Sequence, residues 1–280
     1  MLRRRHTVVL ALLSALALAC EGSGTGAADP GPAPTGTGKG PSSMAAIGDS
    51  ITAGFGSCFS LIACQRRSWS TGGDSAVDSH YRRIRADNPK IRGQAHNFAE
   101  PGARAADLAG QAKAAVTGKP GYVTVLIGAN DACARQVQNM TAPADFRKRV
   151  DTALRTVKKG APKARVLVVS IPDLYRLWQL GHDDAGAVRA WNRGICQSLL
   201  ANPTSTAKAD EQRRRRVADR IDAYNRELAA ACRAYGKRCR WDGGKVHQVR
   251  FSLDLVNRLD YFHPSTEGQA RLAEATWSGF

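Results

Sequence analysis

Short apolar runs closed by glycine or proline alternate along this chain with segments whose apolar residues recur every three or four positions. Residues 44–47 (M-A-A-I, then Gly48), 122–127 (Y-V-T-V-L-I, then Gly128) and 166–171 (V-L-V-V-S-I, then Pro172) are nearly unbroken apolar stretches, the pattern of strands buried on both faces. Residues 95–99 form a shorter strand, closed by Pro101-Gly102. Between them lie helical spacings: Val77, Tyr81 and Ile84 up to Pro89; residues 105–116; and Phe146, Val150, Leu154 and Val157 up to Gly160 and Pro162. After residues 173–186, where the pattern loosens into a loop, come a helix around Val188, Trp191 and Ile195 and a long one through Val217, Ile221, Tyr224, Leu228 and Ala231. The last helix starts at Ser265 or Thr266, with Thr266 and Gln269 at capping-box spacing, and carries Leu272, Ala273 and Trp277. Strands alternating with helices predict one α/β domain with a mostly parallel sheet covered on both faces, spanning residues 43–280.

The N-terminus departs from this pattern. Arg3, Arg4 and Arg5 precede an uncharged apolar run over residues 7–19, the layout of a signal peptide over residues 1–19. Cleavage after Ala19 leaves Cys20 first, so the exported chain is either free or lipid-anchored through that thiol. Residues 20–42 are rich in Gly, Pro, Thr and Ser and read as a flexible linker. The remaining six cysteines, Cys58, Cys64, Cys133, Cys196, Cys232 and Cys239, suit an oxidising compartment. Sequence proximity favours Cys58–Cys64 and Cys232–Cys239, leaving Cys133 to join Cys196. No C-x-x-C occurs and the histidines are scattered, so no metal site is expected.

The formal charge of +17 includes the three leader arginines, but 41 basic residues against 24 acidic ones leave an excess without them. Outside a cell such a surface favours peripheral contact with an anionic membrane or cell wall, and the run Arg213 to Arg216 is either a patch for that contact or a solvated helix face. No stacking motif accompanies the charge, so nucleic acid is not an expected partner.

Chemistry concentrates where strands end. Gly48-Asp49-Ser50 follows the first strand, Gly102 follows the second, and G-A-N-D at residues 128–131 follows the third. Asp260-Tyr261-Phe262-His263 is the D-x-x-H of the chain. A serine hydroxyl needs a base to take its proton, and a histidine does so only when its other nitrogen is held by an acceptor. These four ordered blocks resemble the SGNH hydrolases, the GDSL lipase and esterase family, over residues 44–280. The resemblance implies Ser50 as nucleophile, His263 and Asp260 completing a triad, and Gly102 and Asn130 as oxyanion donors beside the Ser50 N–H. It also implies a flavodoxin-like three-layer α/β/α sandwich whose five parallel strands run in the order 2-1-3-4-5, and a serine esterase or lipase without cofactor. Asp49 and Asp131 are read as loop-fixing residues, and His80, His96, His182 and His247 as structural or surface residues.

For the substrate, Phe55, Phe59, Tyr175, Leu177 and Trp178 are the candidate wall of an acyl pocket, since I-P-D-L-Y-R-L-W leaves the end of a strand. Short esters, lysophospholipid or phospholipid, and acetylated glycan all remain open. The rival reading is a non-catalytic surface lipoprotein that binds cell-wall glycan. A monomer is expected.

Overall fold

The computed structural model describes residue 38 and residues 40–279. The signal peptide, Cys20 and most of the linker lie outside the described residues. Five strands, β1 (Met44–Gly48), β2 (Ala95–Asn97), β3 (Tyr122–Leu126), β4 (Arg165–Val168) and β5 (Cys239–Trp241), form one parallel sheet in the order β2-β1-β3-β4-β5. That is the expected order. β5 was not legible as a strand, and β2 is shorter than residues 95–99.

The helices are α1 (His80–Asp87), α2 (Leu108–Val116), α3 (Ala129–Ala132), α4 (Pro143–Gly160), α5 (Leu174–Gly181), α6 (Ala185–Trp191), α7 (Gln197–Leu200), α8 (Lys208–Tyr235), α9 (Lys245–Gln248) and α10 (Thr266–Thr276). Alternation along the strands sorts them into two layers. Ala45, Ile47, Val123, Val125, Val166 and Val168 face a core with Leu108 and Ala112 of α2, Phe146 and Val150 of α4 and Val217 and Ile221 of α8. Met44, Tyr122, Leu126 and Leu167 face the opposite core, with Ile84 of α1, Val246 of α9 and Leu272 and Ala273 of α10.

Three expectations change. The stretch from Asp173, read as a loop, contains α5, whose first turn is capped by the Asp173 side chain accepting from the Arg176 N–H at 2.9 Å. The helix around Val188 ends at Trp191, short of Ile195. At α10 the cap is Ser265, accepting from Gly268 N–H at 3.2 Å, whereas Thr266 and Gln269 turn inward to other partners. The cysteines pair as Cys58–Cys64, Cys133–Cys196 and Cys232–Cys239.

Candidate active site

Ser50 sits just past the carboxyl end of β1, and the turn that presents it is held from both helical layers. Gly48 has φ +151°, and a Cβ there would run into the carbonyl oxygen of Leu126, so only glycine lets the chain turn this close to β3. From α2, the Gln111 amide makes a two-way bond to Gly48: its Oε1 accepts from the Gly48 N–H at 2.7 Å and its Nε2 donates to the Gly48 carbonyl at 3.0 Å. From α10, Gln269 Nε2 donates to the Ile51 carbonyl at 2.8 Å while its Oε1 accepts from Trp69 N–H at 2.9 Å. Asn97, at the end of β2, donates to the Thr52 carbonyl at 2.8 Å.

His263 and Asp260 reach Ser50 from a turn some two hundred residues later in the chain. His263 Nε2 stands 2.9 Å from Ser50 Oγ, and His263 Nδ1 stands 2.7 Å from Asp260 Oδ2. Asp260 Oδ1 accepts from the N–H groups of Phe262 and His263, at 2.9 and 3.1 Å, so the carboxylate is fixed before it orients the ring. Within this turn Tyr261 has φ +52°, an uncommon value for a residue with a side chain. It is held there by its N–H to the Asn257 carbonyl at 2.7 Å and by Trp191 Nε1 donating to its carbonyl at 3.0 Å. Asn257 N–H in turn donates to the His263 carbonyl at 2.8 Å. The Phe55 ring lies 4.6 Å from the His263 ring, centre to centre.

Asn130 lies on the short helix α3, where Gly128 at φ +124° turns the chain out of β3. A Cβ at Gly128 would come 2.5 Å from Ile171 Cδ1. Asn130 Nδ2 donates one hydrogen to the Ala103 carbonyl at 3.0 Å, which ties the amide to the loop of Gly102 and leaves its second hydrogen free to point elsewhere. Gly102 has φ +84°, and among the described residues no hydrogen bond takes up its N–H.

Two buried carboxyls lie beneath this arrangement. Asp131 joins the loops: its Oδ2 accepts from Ala105 N–H at 2.9 Å and its Oδ1 from Thr141 Oγ1 at 2.8 Å. Burial pushes its pKa up. Asp49 is fully buried; its Oδ1 accepts from Ile51 N–H at 3.0 Å, while its buried Oδ2 has no hydrogen-bond partner among the described residues. Burial pushes Asp49 up to about 7, against the pull of the Ile51 N–H, and the nearby Asp131 charge adds to the rise.

Of the candidate pocket wall, only part is at Ser50. A cavity of about 30 Å³, room for little more than a couple of waters, touches Ser50 and His263 and is lined by Leu174, Leu177, Phe251, Val256 and Phe262. Tyr175 and Trp178 do not line it. The segment L-Y-R-L-W is apolar on two sides of α5, and Leu174 and Leu177 take the side toward Ser50. Tyr175 and Trp178 take the side toward α8, where Arg215 lies 4.4 Å over the Tyr175 ring and Arg214 4.1 Å over Trp178. Glu211 accepts from Tyr175 Oη at 2.7 Å and pairs with both arginines. Phe59 is 80% exposed and Arg67 lies 5.5 Å over its ring.

Of the arginine run, Arg213 and Arg214 are internal bracing, while Arg215 and Arg216 are exposed. Arg213 donates to the carbonyls of Gln197, Ser198 and Ala201, which end α7, and Arg214 is 1% exposed. His80 is buried between Tyr122 Oη and Thr276 Oγ1, at 2.9 and 2.8 Å, and burial lowers its pKa to about 3. His247 Nδ1 meets the Ile171 carbonyl at 3.0 Å, and His182 pairs with Asp183. Among the described residues no group of three or more His, Cys, Asp or Glu is placed to hold a metal ion.

Sequence alone gives Gln111, Gln269, Asn97 and Asn257 no role at this turn, and places Gln269 only at capping-box spacing from Thr266. Their one signal was a polar residue on an apolar stripe: Gln111 between Leu108 and Ala115, and Gln269 before Leu272 and Ala273. A buried amide needs partners, and here the partners are the site's own backbone.

Among solved structures, TesA aligns with a TM-score of 0.51 at 18% identity, covering 84% of this chain and 96% of that one. Phospholipase A1 from Streptomyces albidoflavus NA297 aligns with a TM-score of 0.51 at 16% identity, covering 84% and 99%. At these identities the likeness concerns the fold. Among curated proteins, "Phospholipase B1, membrane-associated" of Rattus norvegicus is 26% identical over an alignment 282 positions long that covers 84% of this chain and 19% of that protein. The chain thus spans about a fifth of the length of the curated relative it matches. Residues 46–271 match the GDSL-like lipase/acylhydrolase family, a span that begins inside β1 and reaches α10, and the chain belongs to that family.

Proposed function

We propose that this carboxylic ester hydrolase acts outside the cytoplasm on ester-linked lipid, with phospholipid or lysophospholipid as the substrate class, through an acyl-enzyme on Ser50. The observation that carries the reading is the continuous relay from Ser50 Oγ to His263 Nε2 at 2.9 Å and from His263 Nδ1 to Asp260 at 2.7 Å. In that geometry His263 takes the hydroxyl proton as Ser50 Oγ attacks the ester carbonyl, and Asp260 holds the ring and stabilises the cation that forms. The N–H groups of Ser50 and Gly102 and the free hydrogen of the Asn130 amide receive the developing oxyanion. His263 then gives its proton to the departing alcohol, and a water activated by the same ring releases the acyl group.

Three disulfides and a basic chain support an exported protein, with residues 1–19 as its leader. Among the described residues no helix is long and apolar enough to cross a membrane. The names of the two phospholipases it resembles favour lipid over acetylated glycan. A non-catalytic glycan binder would need no assembled relay.

The test is labelling by a serine-directed organophosphonate together with turnover of a chromogenic butyrate ester and a lysophospholipid. Labelling at Ser50, lost in Ser50→Ala along with both activities, is the expected result. Undiminished labelling or turnover in Ser50→Ala would remove the assignment, and butyrate turnover without lysophospholipid turnover would remove the lipid reading alone.

A further inference from the structure

The large apolar side chains most exposed among the described residues are Phe59 at 80%, Ile62 at 63%, Leu259 at 49% and Leu61 at 47%. They are not scattered. Three stand on the loop that follows Ser50, and the fourth directly precedes Asp260. Phe59 and Leu259 line one groove of about 300 Å³ with Gly56, Val256, Asn257 and Arg258. Val256 also lines the small cavity at Ser50, so the groove and the site share a wall. Apolar surface gathered in one place beside a site marks an interaction surface.

The loop is built to hold these tips outward. Cys58 and Cys64 close it, Gly56 N–H donates to the Ile62 carbonyl at 3.1 Å across it, and Asn257 Nδ2 donates to the Gly56 carbonyl at its base. Exposed side chains on a ring that is already ordered lose little freedom when they are covered. Beneath the tips lie cations: Arg67 behind the Phe59 ring, its Nη1 donating to the Ser57 carbonyl at 3.0 Å, with Arg66 and Arg258 beside it. Asp74 pairs with Arg66 and Arg67, and Asp254 and Glu267 line the groove, so local charge is near balance. The attraction to an anionic surface comes from the excess of basic over acidic residues that remains without Arg3, Arg4 and Arg5, while apolar insertion fixes the contact at this face.

We propose that this face docks onto a lipid aggregate bearing anionic headgroups, with Phe59, Leu61, Ile62 and Leu259 entering the interface and Ser50 held at its edge. The proposal rests on the lipid reading above. The occupant is argued from the residues: three of the four tips are aliphatic, which suits acyl chains better than the faces of a glycan. A cavity of about 30 Å³ at Ser50 leaves an acyl chain nowhere to lie but outward along the rim.

The experiment uses the full chain with Cys20→Ser, so that no lipid anchor contributes, and vesicles of phosphatidylcholine with or without phosphatidylglycerol. Partition is measured in Ser50→Ala, where nothing is hydrolysed, with and without Leu61→Ser/Ile62→Ser. The expected result is binding to the anionic vesicles that falls about tenfold or more in the loop variant. With Ser50 intact, the same two substitutions should slow hydrolysis of vesicle phospholipid by about tenfold and leave a soluble butyrate ester within about twofold. No binding by the parent, or equal binding by the loop variant, overturns the proposal. So does a matching loss on the soluble ester, which would place the loop in the pocket, or loss of a dimer without change in partition, which would make the face a contact between copies. Absence of any ester turnover by the parent would instead remove the functional reading, with partition still deciding the docking surface.

Discussion

Asp49→Asn exchanges a buried acid for a neutral residue of the same shape directly beside Ser50. The Asp49 carboxyl is raised from 3.8 to about 7 by burial, so the fold holds its neutral form and resists its charged one. A folded value above the unfolded one means that the stability it contributes is complete below about 3.8 and is lost as pH rises through about 7. The gap between the two values corresponds to about 4 kcal/mol, of which about 3 kcal/mol is lost between about pH 5 and about pH 9. Asparagine cannot ionise and removes this slope. Its Oδ1 keeps the bond to Ile51 N–H, while its amide brings two donors to the place where neutral Asp49 has one O–H, and the additional buried donor costs about 1–3 kcal/mol. Denaturant unfolding at pH 5 and at pH 9 separates the two effects. The variant should be the weaker protein at pH 5, and its deficit should shrink or reverse at pH 9. If parent and variant lose stability in parallel between those values, Asp49 does not carry the burial cost assigned to it.

Asn130→Ala removes a donor that acts mainly in the transition state, so kcat on a chromogenic ester should fall by about 10²–10³ with little change in KM; an unchanged kcat in a folded variant would take Asn130 out of the oxyanion site. The Cys133–Cys196 bond anchors the segment just past Asn130, helped by Ser198 Oγ donating to the Ala132 carbonyl at 2.7 Å and Ser198 N–H to Ala134 at 2.9 Å. Cys133→Ser/Cys196→Ser should cost about 4 kcal/mol of stability by loop-closure entropy and lower kcat at temperatures where the variant is still folded, whereas Cys232→Ser/Cys239→Ser should leave kcat intact. Full kcat in the folded first variant would show that the hydrogen bonds alone suffice.

β1, β3 and β4 could be read from the sequence because strands buried on both faces must be apolar throughout, and their glycine or proline stops mark where function begins. β5, with Cys239, Arg240 and Trp241 all half-buried at the sheet edge, has no such run and could not be seen. α5 escaped because it packs on two sides and so shows no single stripe. Asp260 and His263 stood out because a D-x-x-H sets both at short spacing, whereas Ser50, some two hundred residues earlier, could be read only from the glycine stop of its strand. Tyr175 and Trp178 were placed at the wrong surface because an aromatic after a strand does not say which side of the following helix it occupies. The amides at this turn were not read as its holders for a simpler reason: a lone polar residue on an apolar stripe does not say which backbone it reaches.

Gln111 and Gln269 fasten the two ends of one short turn to opposite slabs of the sandwich. Ser50 therefore has no local route to disorder. To free the Gly48–Ile51 backbone, α2 must part from one face of the sheet and α10 from the other, which is close to unfolding the domain. Ser50 thus belongs to the part of the molecule that opens only with the core, and mobility in its neighbourhood must be found on the outer rim and not in this turn.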